Sequence, residues 1–153
     1  MKNLVSGADD TNNSLPNYEA NVVKLAPLGS DSPDSLVEAK GVCSVVIVSY
    51  KTGEVLMDCI RSVLRQSKLH QLILVDNGNT RQTVQQLNEI ADKNSKFEII
   101  TGHGNVGFSK GCNLGVRRAR GEYILLLNPD SILQVDTLIP ALQIARLDVS
   151  MRQ

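Results

Sequence analysis

Val42-Cys-Ser-Val-Val-Ile-Val-Ser49, then Leu56, Cys59, Ile60, Val63 and Leu64, then Leu72-Ile-Leu-Val-Asp76: these three pieces in succession decide the fold. The first run is rich in β-branched residues, of strand length, and apolar enough to be buried on both faces. The five residues after it recur at i, i+3, i+4, i+7 and i+8, one stripe of an amphipathic helix. The third run is a second short strand. Downstream the alternation continues. A helix is predicted over 80–93, with Val84, Leu87 and Ala91 on its inner face and Thr80 as N-cap. A strand over 97–101, a helix over 109–119, a strand over 122–128 and a last helix over 135–147 follow. Strand and helix alternating four times imply right-handed crossovers and an open parallel-sheet α/β sandwich. Sheets of this kind bind ligands beyond the carboxyl ends of their strands, where the strand order reverses.

The 153 residues have room for one ordinary domain. Lys+Arg 16 against Asp+Glu 16 gives a formal net charge of +0, which argues against a basic nucleic-acid binder. Aromatic content of 3% excludes a stacking platform for single-stranded nucleic acid. Cys43, Cys59 and Cys112 are odd in number and widely spaced, without a C-x-x-C pair, so neither a disulfide framework nor a zinc site is expected. The amino terminus has no apolar signal-peptide core, and the longest apolar runs are far short of the roughly 20 residues of a membrane helix. These features predict a cytoplasmic protein with no membrane segment.

Residues 1–41 read as a disordered or loosely structured tail. They carry Pro16, Pro27 and Pro33 and three Lys against six Asp and Glu, with no sustained apolar period. Asp34 or Ser35 offers a cap for a short helix over 35–40. The domain proper is then 42–153, with a mildly cationic balance that suits an anionic ligand.

Four groups stand at the predicted strand ends: Ser49-Tyr50-Lys51, Asp76-Asn77-Gly78, Gly102–Gly107 and Asn128-Pro129-Asp130. Asp76 offers a carboxylate to a nucleobase N–H or a sugar hydroxyl, or it bonds its own backbone in a tight Asp-Asn-Gly turn. Tyr50 offers a flat face to a base, or it packs in the core. Asp130 is an oxygen ligand where a divalent cation and a diphosphate would sit, and Asn128 adds a neutral oxygen. The alternative is an ordinary Asn-Pro turn. Gly102-His-Gly-Asn-Val-Gly107 spells G-x-G-x-x-G, the dinucleotide-binding pattern, but it follows the third strand of the 42–153 domain rather than opening the domain, and Gly111 and Gly115 weaken the helix after it. Lys110, near the start of that helix, can meet a phosphate beside free backbone N–H groups. Arg117, Arg118 and Arg120 read as a solvated face, and His70 and His103 as surface or loop residues.

Five segments together resemble glycosyltransferase family 2, in family order and spacing, and most of all its rhamnosyltransferase-like branch. They are Val45-Val-Ile-Val-Ser-Tyr50, Cys59-Ile-Arg-Ser-Val-Leu-Arg-Gln-Ser67, Ile73-Leu-Val-Asp-Asn-Gly78, Gly104-Asn-Val-Gly-Phe-Ser-Lys-Gly-Cys-Asn113 and Gly121-Glu-Tyr-Ile-Leu-Leu-Leu-Asn-Pro-Asp130. The resemblance implies the nucleotide-binding half of a GT-A fold. It also implies transfer of a sugar, with inversion, from a nucleotide-diphosphate donor (a dTDP- or UDP-sugar) with a divalent metal, Mg²⁺ or Mn²⁺. By position, Tyr50 and Asp76 would hold the base, and Lys110 and Asn113 would help shape the donor pocket. Asn128-Pro-Asp130 would stand at the D-x-D motif, with Asp130 as metal ligand and Asn128 turned toward ribose or metal.

Two departures qualify the match. Arg81 stands where the family often has a second acid, and Asn128 replaces the first Asp of D-x-D. Family members also continue past D-x-D into an acceptor region with a general base that deprotonates the acceptor hydroxyl. Only Asp136 and Asp148 follow here before Gln153, and neither is expected to be that base. The expectation is a truncated donor half, weak or inactive alone, with an unprotected sheet edge and a complementary C-terminal half as partner. A non-catalytic nucleotide-sugar-binding module and a dinucleotide-binding domain are the alternatives.

Overall fold

A computed structural model describes residues 21–24 and 41–151. The elements are β1 (Asn21–Lys24), β2 (Cys43–Ser49), α1 (Val55–Leu64), β3 (Leu69–Asp76), α2 (Arg81–Ala91), β4 (Phe97–Ile100), α3 (Phe108–Val116), β5 (Tyr123–Leu127) and α4 (Leu138–Met151). They form one sheet in the order β1-β5-β2-β3-β4. Strands β2 to β5 are mutually parallel, as the alternation predicted. The strand order reverses between β5 and β2, which puts the topological switch point beside the end of β2.

The alternating side chains of β2 explain the layers. Val45 and Ile47 face a core shared with Leu56, Ile60 and Val63 of α1, Leu87 of α2, and Leu138 and Leu142 of α4. Val46 and Val48 face the other side, where Cys112 and Val116 of α3 pack. Helices on both faces leave all seven residues of β2 buried, which is why that run has no polar alternation.

The close approach of α3 explains its glycines. A Cβ at Gly111 would stand 2.8 Å from Val48 Cγ1, and one at Gly115 would overlap Val46 Cγ1. The residues that weaken α3 as an isolated helix are those that let its backbone lie on β2.

The structure departs from the expectations in two places. Residues Asn21–Lys24, within the supposed tail, form β1 and pair antiparallel with β5 from Asn21↔Leu126 to Lys24↔Tyr123. The sheet is therefore mixed at this edge, and β5 is covered there. A four-residue strand needs only backbone groups to pair with, so no apolar period announces it. The suggested helix over 35–40 lies outside the described residues. The last helix begins at Leu138 rather than 135, because Asp136 takes a positive φ of 55° that no helix accommodates. Elsewhere the boundaries shift by a few residues, and Thr80 caps α2 as expected, its side chain accepting from the Thr83 N–H at 3.2 Å. Among the described residues no helix is long and apolar enough to cross a membrane.

Candidate functional site

The parallel register sets the site. Ser49 lies opposite Asp76, and Ile47 opposite Leu127, so the carboxyl ends of β2, β3 and β5 share one sheet edge. Tyr50 follows β2, Asp76 ends β3, and Asn128-Pro129-Asp130 follows β5. The switch point thus brings the two base-site candidates and the metal candidates to neighbouring strand ends.

Asp76 is buried, and its two oxygens are employed differently. Oδ1 accepts from the Gly78 N–H at 3.0 Å, the Asn79 N–H at 2.8 Å and Asn79 Nδ2 at 2.8 Å. That is the tight-turn reading, and it is realised. Oδ2 has only the Thr101 hydroxyl, at 3.5 Å, among the described residues. One oxygen builds the turn and the other keeps acceptor capacity. Asn79 is the hub: its Nδ2 also donates to Ser49 Oγ, and its Oδ1 accepts from the Thr52 N–H at 3.2 Å, tying the loops after β2 and β3 together.

Tyr50 is not a core residue; it is 49% exposed. Its ring lies against Gly78, where a Cβ would come within 3.3 Å of Cε2, and Lys51 Nζ sits 5.2 Å from the ring centroid. An exposed flat ring at the switch point, next to a cation, is available for stacking. Lys110 and Asn113 are exposed on α3, and neither side chain makes a hydrogen bond or ion pair among the described residues. The structure ties α3 to this edge through its glycines and through Asn77, whose Nδ2 donates to the Gly107 carbonyl at 3.1 Å.

Asn128 and Asp130 are exposed. The Asn128 carbonyl accepts from the Ser131 N–H at 3.1 Å and from the Cys59 thiol at 3.6 Å. Burial pushes the Cys59 thiol up to about 12, and the nearby Asp130 carboxylate adds to the rise. Asp130 supplies one carboxylate and Asn128 one neutral oxygen, and no cluster of three or more His, Cys, Asp or Glu gathers among the described residues. That donor set suits a hard divalent cation that brings phosphate oxygens with it, rather than an ion held in a protein cage.

The residues beneath the 128–138 loop were not singled out from sequence. Ser62 Oγ accepts from the Leu133 N–H at 3.0 Å, and Gln66 Nε2 donates to the Gln134 carbonyl at 2.7 Å. Gln66 Oε1 accepts from the Leu138 N–H at 3.2 Å, at the start of α4. The signal in the sequence is a polar residue within the apolar helix, Ser62, followed four positions later by Gln66 just past its end.

The G-x-G-x-x-G loop follows β4, the strand at the far edge of the sheet from the switch point. That position does not fit a dinucleotide crevice, which lies at the switch point. His103 sits in this loop with Nδ1 at 2.7 Å from the Gly104 carbonyl, whereas His70 belongs to β3. Arg118 pairs with Glu98 at 3.6 Å on the surface.

Comparison with known proteins bears on the fold and the family. The chain is 28% identical over 110 residues to the glycosyltransferase GlyG of Streptococcus pneumoniae, covering 69% of this chain and 36% of that protein. Its fold matches the crystal structure of S. aureus TarS 1-349 in complex with UDP, with a TM-score of 0.59 at 23% identity, covering 70% of this chain and 32% of that one. It also matches the mannosyltransferase PcManGT from Pyrobaculum calidifontis in complex with GDP-Man and Mn²⁺, with a TM-score of 0.55 at 15% identity over 61% of this chain and 29% of that one. The chain spans about a third of the length of the curated relatives it matches. The model of the family described as Glycosyl transferase family 2 matches residues 44–148, most of the described chain, and the protein belongs to that family.

Proposed function

We propose that this chain holds the nucleotide-diphosphate end of a UDP- or dTDP-sugar, together with Mg²⁺ or Mn²⁺, as the donor-binding part of an inverting sugar transferase. The observation that carries the reading is the division of labour in Asp76. Three bonds to Oδ1 lock the carboxylate, while Oδ2 keeps capacity for a base N–H beside the exposed Tyr50 ring. Uracil and thymine both present an N–H flanked by carbonyls, which suits a fixed carboxylate acceptor. Lys110 and Asn113 lie on α3 on the side of β2 opposite α1, as cation and amide for the donor's polar portion. Asn128 and Asp130 would hold the cation, which when bound neutralises charge on the diphosphate leaving group.

Attack on the sugar also requires a base for the acceptor hydroxyl. Asp136 accepts from Ser67 Oγ at 2.9 Å in the loop before α4 and is not assigned that role. A complementary acceptor-binding half is the partner this reading calls for.

The test is thermal unfolding with UDP, dTDP, GDP and NAD, each with and without Mn²⁺. A ligand at about 100 times its dissociation constant adds roughly 2.7 kcal/mol of stability. Stabilisation by UDP or dTDP that is lost in Asp76→Ala, and whose Mn²⁺ increment is lost in Asp130→Asn, is the expected result. Stabilisation by NAD without metal, or by no nucleotide, overturns the proposal.

A further inference from the structure

We infer that Ser62 of α1 and Gln66, just past the end of that helix, are positioning residues for the cation-binding loop, fixing the backbone that presents Asn128 and Asp130 to the donor's diphosphate. The inference rests on the donor-site reading above and goes beyond it to residues that touch no ligand.

The loop between β5 and α4 runs from Asn128 to Thr137 with no strand or helix of its own, and its two local turns, from the Ser131 N–H to the Asn128 carbonyl and from the Thr137 N–H to the Gln134 carbonyl, pair only part of its backbone. Two buried side chains bond two of its groups and the first N–H of α4. Ser62 Oγ takes the Leu133 N–H, and Gln66 takes the Gln134 carbonyl and the Leu138 N–H with its two ends. Both side chains are themselves locked to α1. Ser62 Oγ donates to the Cys59 carbonyl at 2.7 Å, and Gln66 Nε2 donates to the Ser62 carbonyl at 3.2 Å. At the loop's other end the Cys59 thiol meets the Asn128 carbonyl. The inner face of α1 and the residue just past its end therefore grip the loop at both ends, across roughly 70 positions of sequence.

Simple turn formation accounts for only part of this. The Ser131 N–H to Asn128 carbonyl bond closes a local turn at the motif, but it does not fix where that turn sits relative to β2. The bonds from α1 do, because α1 packs on the β2 face that carries Val45 and Ile47. A cation held by one carboxylate and one amide has few protein bonds to orient it. Its affinity then depends on how well the supporting residues hold those two groups.

The experiment uses the full chain with Gln66→Met, which keeps length but bonds neither end, and Ser62→Ala as a milder second variant. Leu87→Val on α2 controls for lost stability alone. Two quantities are measured: amide hydrogen exchange over 128–138, and UDP affinity with and without Mn²⁺. The inference expects faster exchange confined to 128–138. It also expects metal-free UDP affinity within about twofold of wild type, and a Mn²⁺-dependent gain reduced by about tenfold or more. Gln66→Met added to Asp130→Asn should give no further loss in that gain. Unchanged exchange in the loop, or a full Mn²⁺ gain in both variants, overturns the positioning role. A wild-type chain that binds no UDP with or without Mn²⁺ overturns the donor reading instead, and with it the metal role of the loop, while the exchange data still decide whether α1 holds it.

Discussion

Replacing Gly115 with Ala tests whether the close contact of α3 with β2 is as tight as the structure describes. In an exposed helix this change stabilises by up to about 1 kcal/mol, because glycine loses more backbone freedom on folding. Here the new methyl would overlap Val46 Cγ1 and lie 3.3 Å from Cγ2 and 3.4 Å from Cβ. Val46 cannot retreat, since it is buried in the central strand and pairs in register with Ile73 on one side and Leu126 on the other. Overpacking at such a site costs about 1–3 kcal/mol, and overlap with a fixed β-branched side chain belongs at the upper end. The net expectation is a loss of about 2 kcal/mol, which lowers the midpoint of thermal unfolding by roughly 6–10 °C in a domain of this size. The double mutant with Val46→Ala removes the obstructing methyls, so the same Gly115→Ala change becomes neutral or stabilising in that background. Urea unfolding of the four proteins yields the interaction energy directly, and about 2 kcal/mol is expected. A Gly115→Ala protein more stable than wild type, or a cycle that closes to zero, would refute the steric account of these glycines.

Tyr50→Ala should weaken UDP binding about tenfold, the scale of one lost base–aromatic stack, while Tyr50→Phe leaves it unchanged in calorimetric titration. A tenfold loss in Tyr50→Phe would mean that the hydroxyl, not the ring face, carries the contact. Thr80→Ala removes the N-cap of α2 and should cost about 1 kcal/mol in urea unfolding. Burial pushes the thiols of Cys43 and Cys59 from 9.0 up to about 12. Between those values the folded chain keeps protons that the unfolded chain has released, so stability falls as pH rises from about 9 towards 12. The slope reaches at most about 1.4 kcal/mol per pH unit for each thiol. It should be smaller in Cys43→Ala/Cys59→Ala, and equal slopes in the two proteins would contradict the burial argument.

Much of the fold was legible because its signals are local. A β-branched run without polar alternation marks a strand covered on both faces, and apolar residues at helical spacing mark the helices that cover it. Alternation of the two fixes a parallel sheet, whose strand ends carry Tyr50, Asp76, Asn128 and Asp130. The Asp-Asn-Gly turn was also readable, since Asp76 bonds within three residues of itself.

What the sequence by itself determined is therefore the order of the elements, the parallel sheet and the candidate groups at its carboxyl edge, because each is dictated by neighbours within a few residues. Tertiary structure alone decided the rest. Strand β1 exists because the edge of β5 offers unpaired backbone groups, a condition absent from the local sequence around Asn21–Lys24. Gly115 looks like a helix breaker until Val46 stands against it. Buried Ser62 of α1 and Gln66 just past it look like misplaced polar residues until the loop after β5 and the start of α4 bring them three backbone partners. Close packing and the pairing of buried polar groups join residues far apart in the chain, and those partners exist only once the chain has folded.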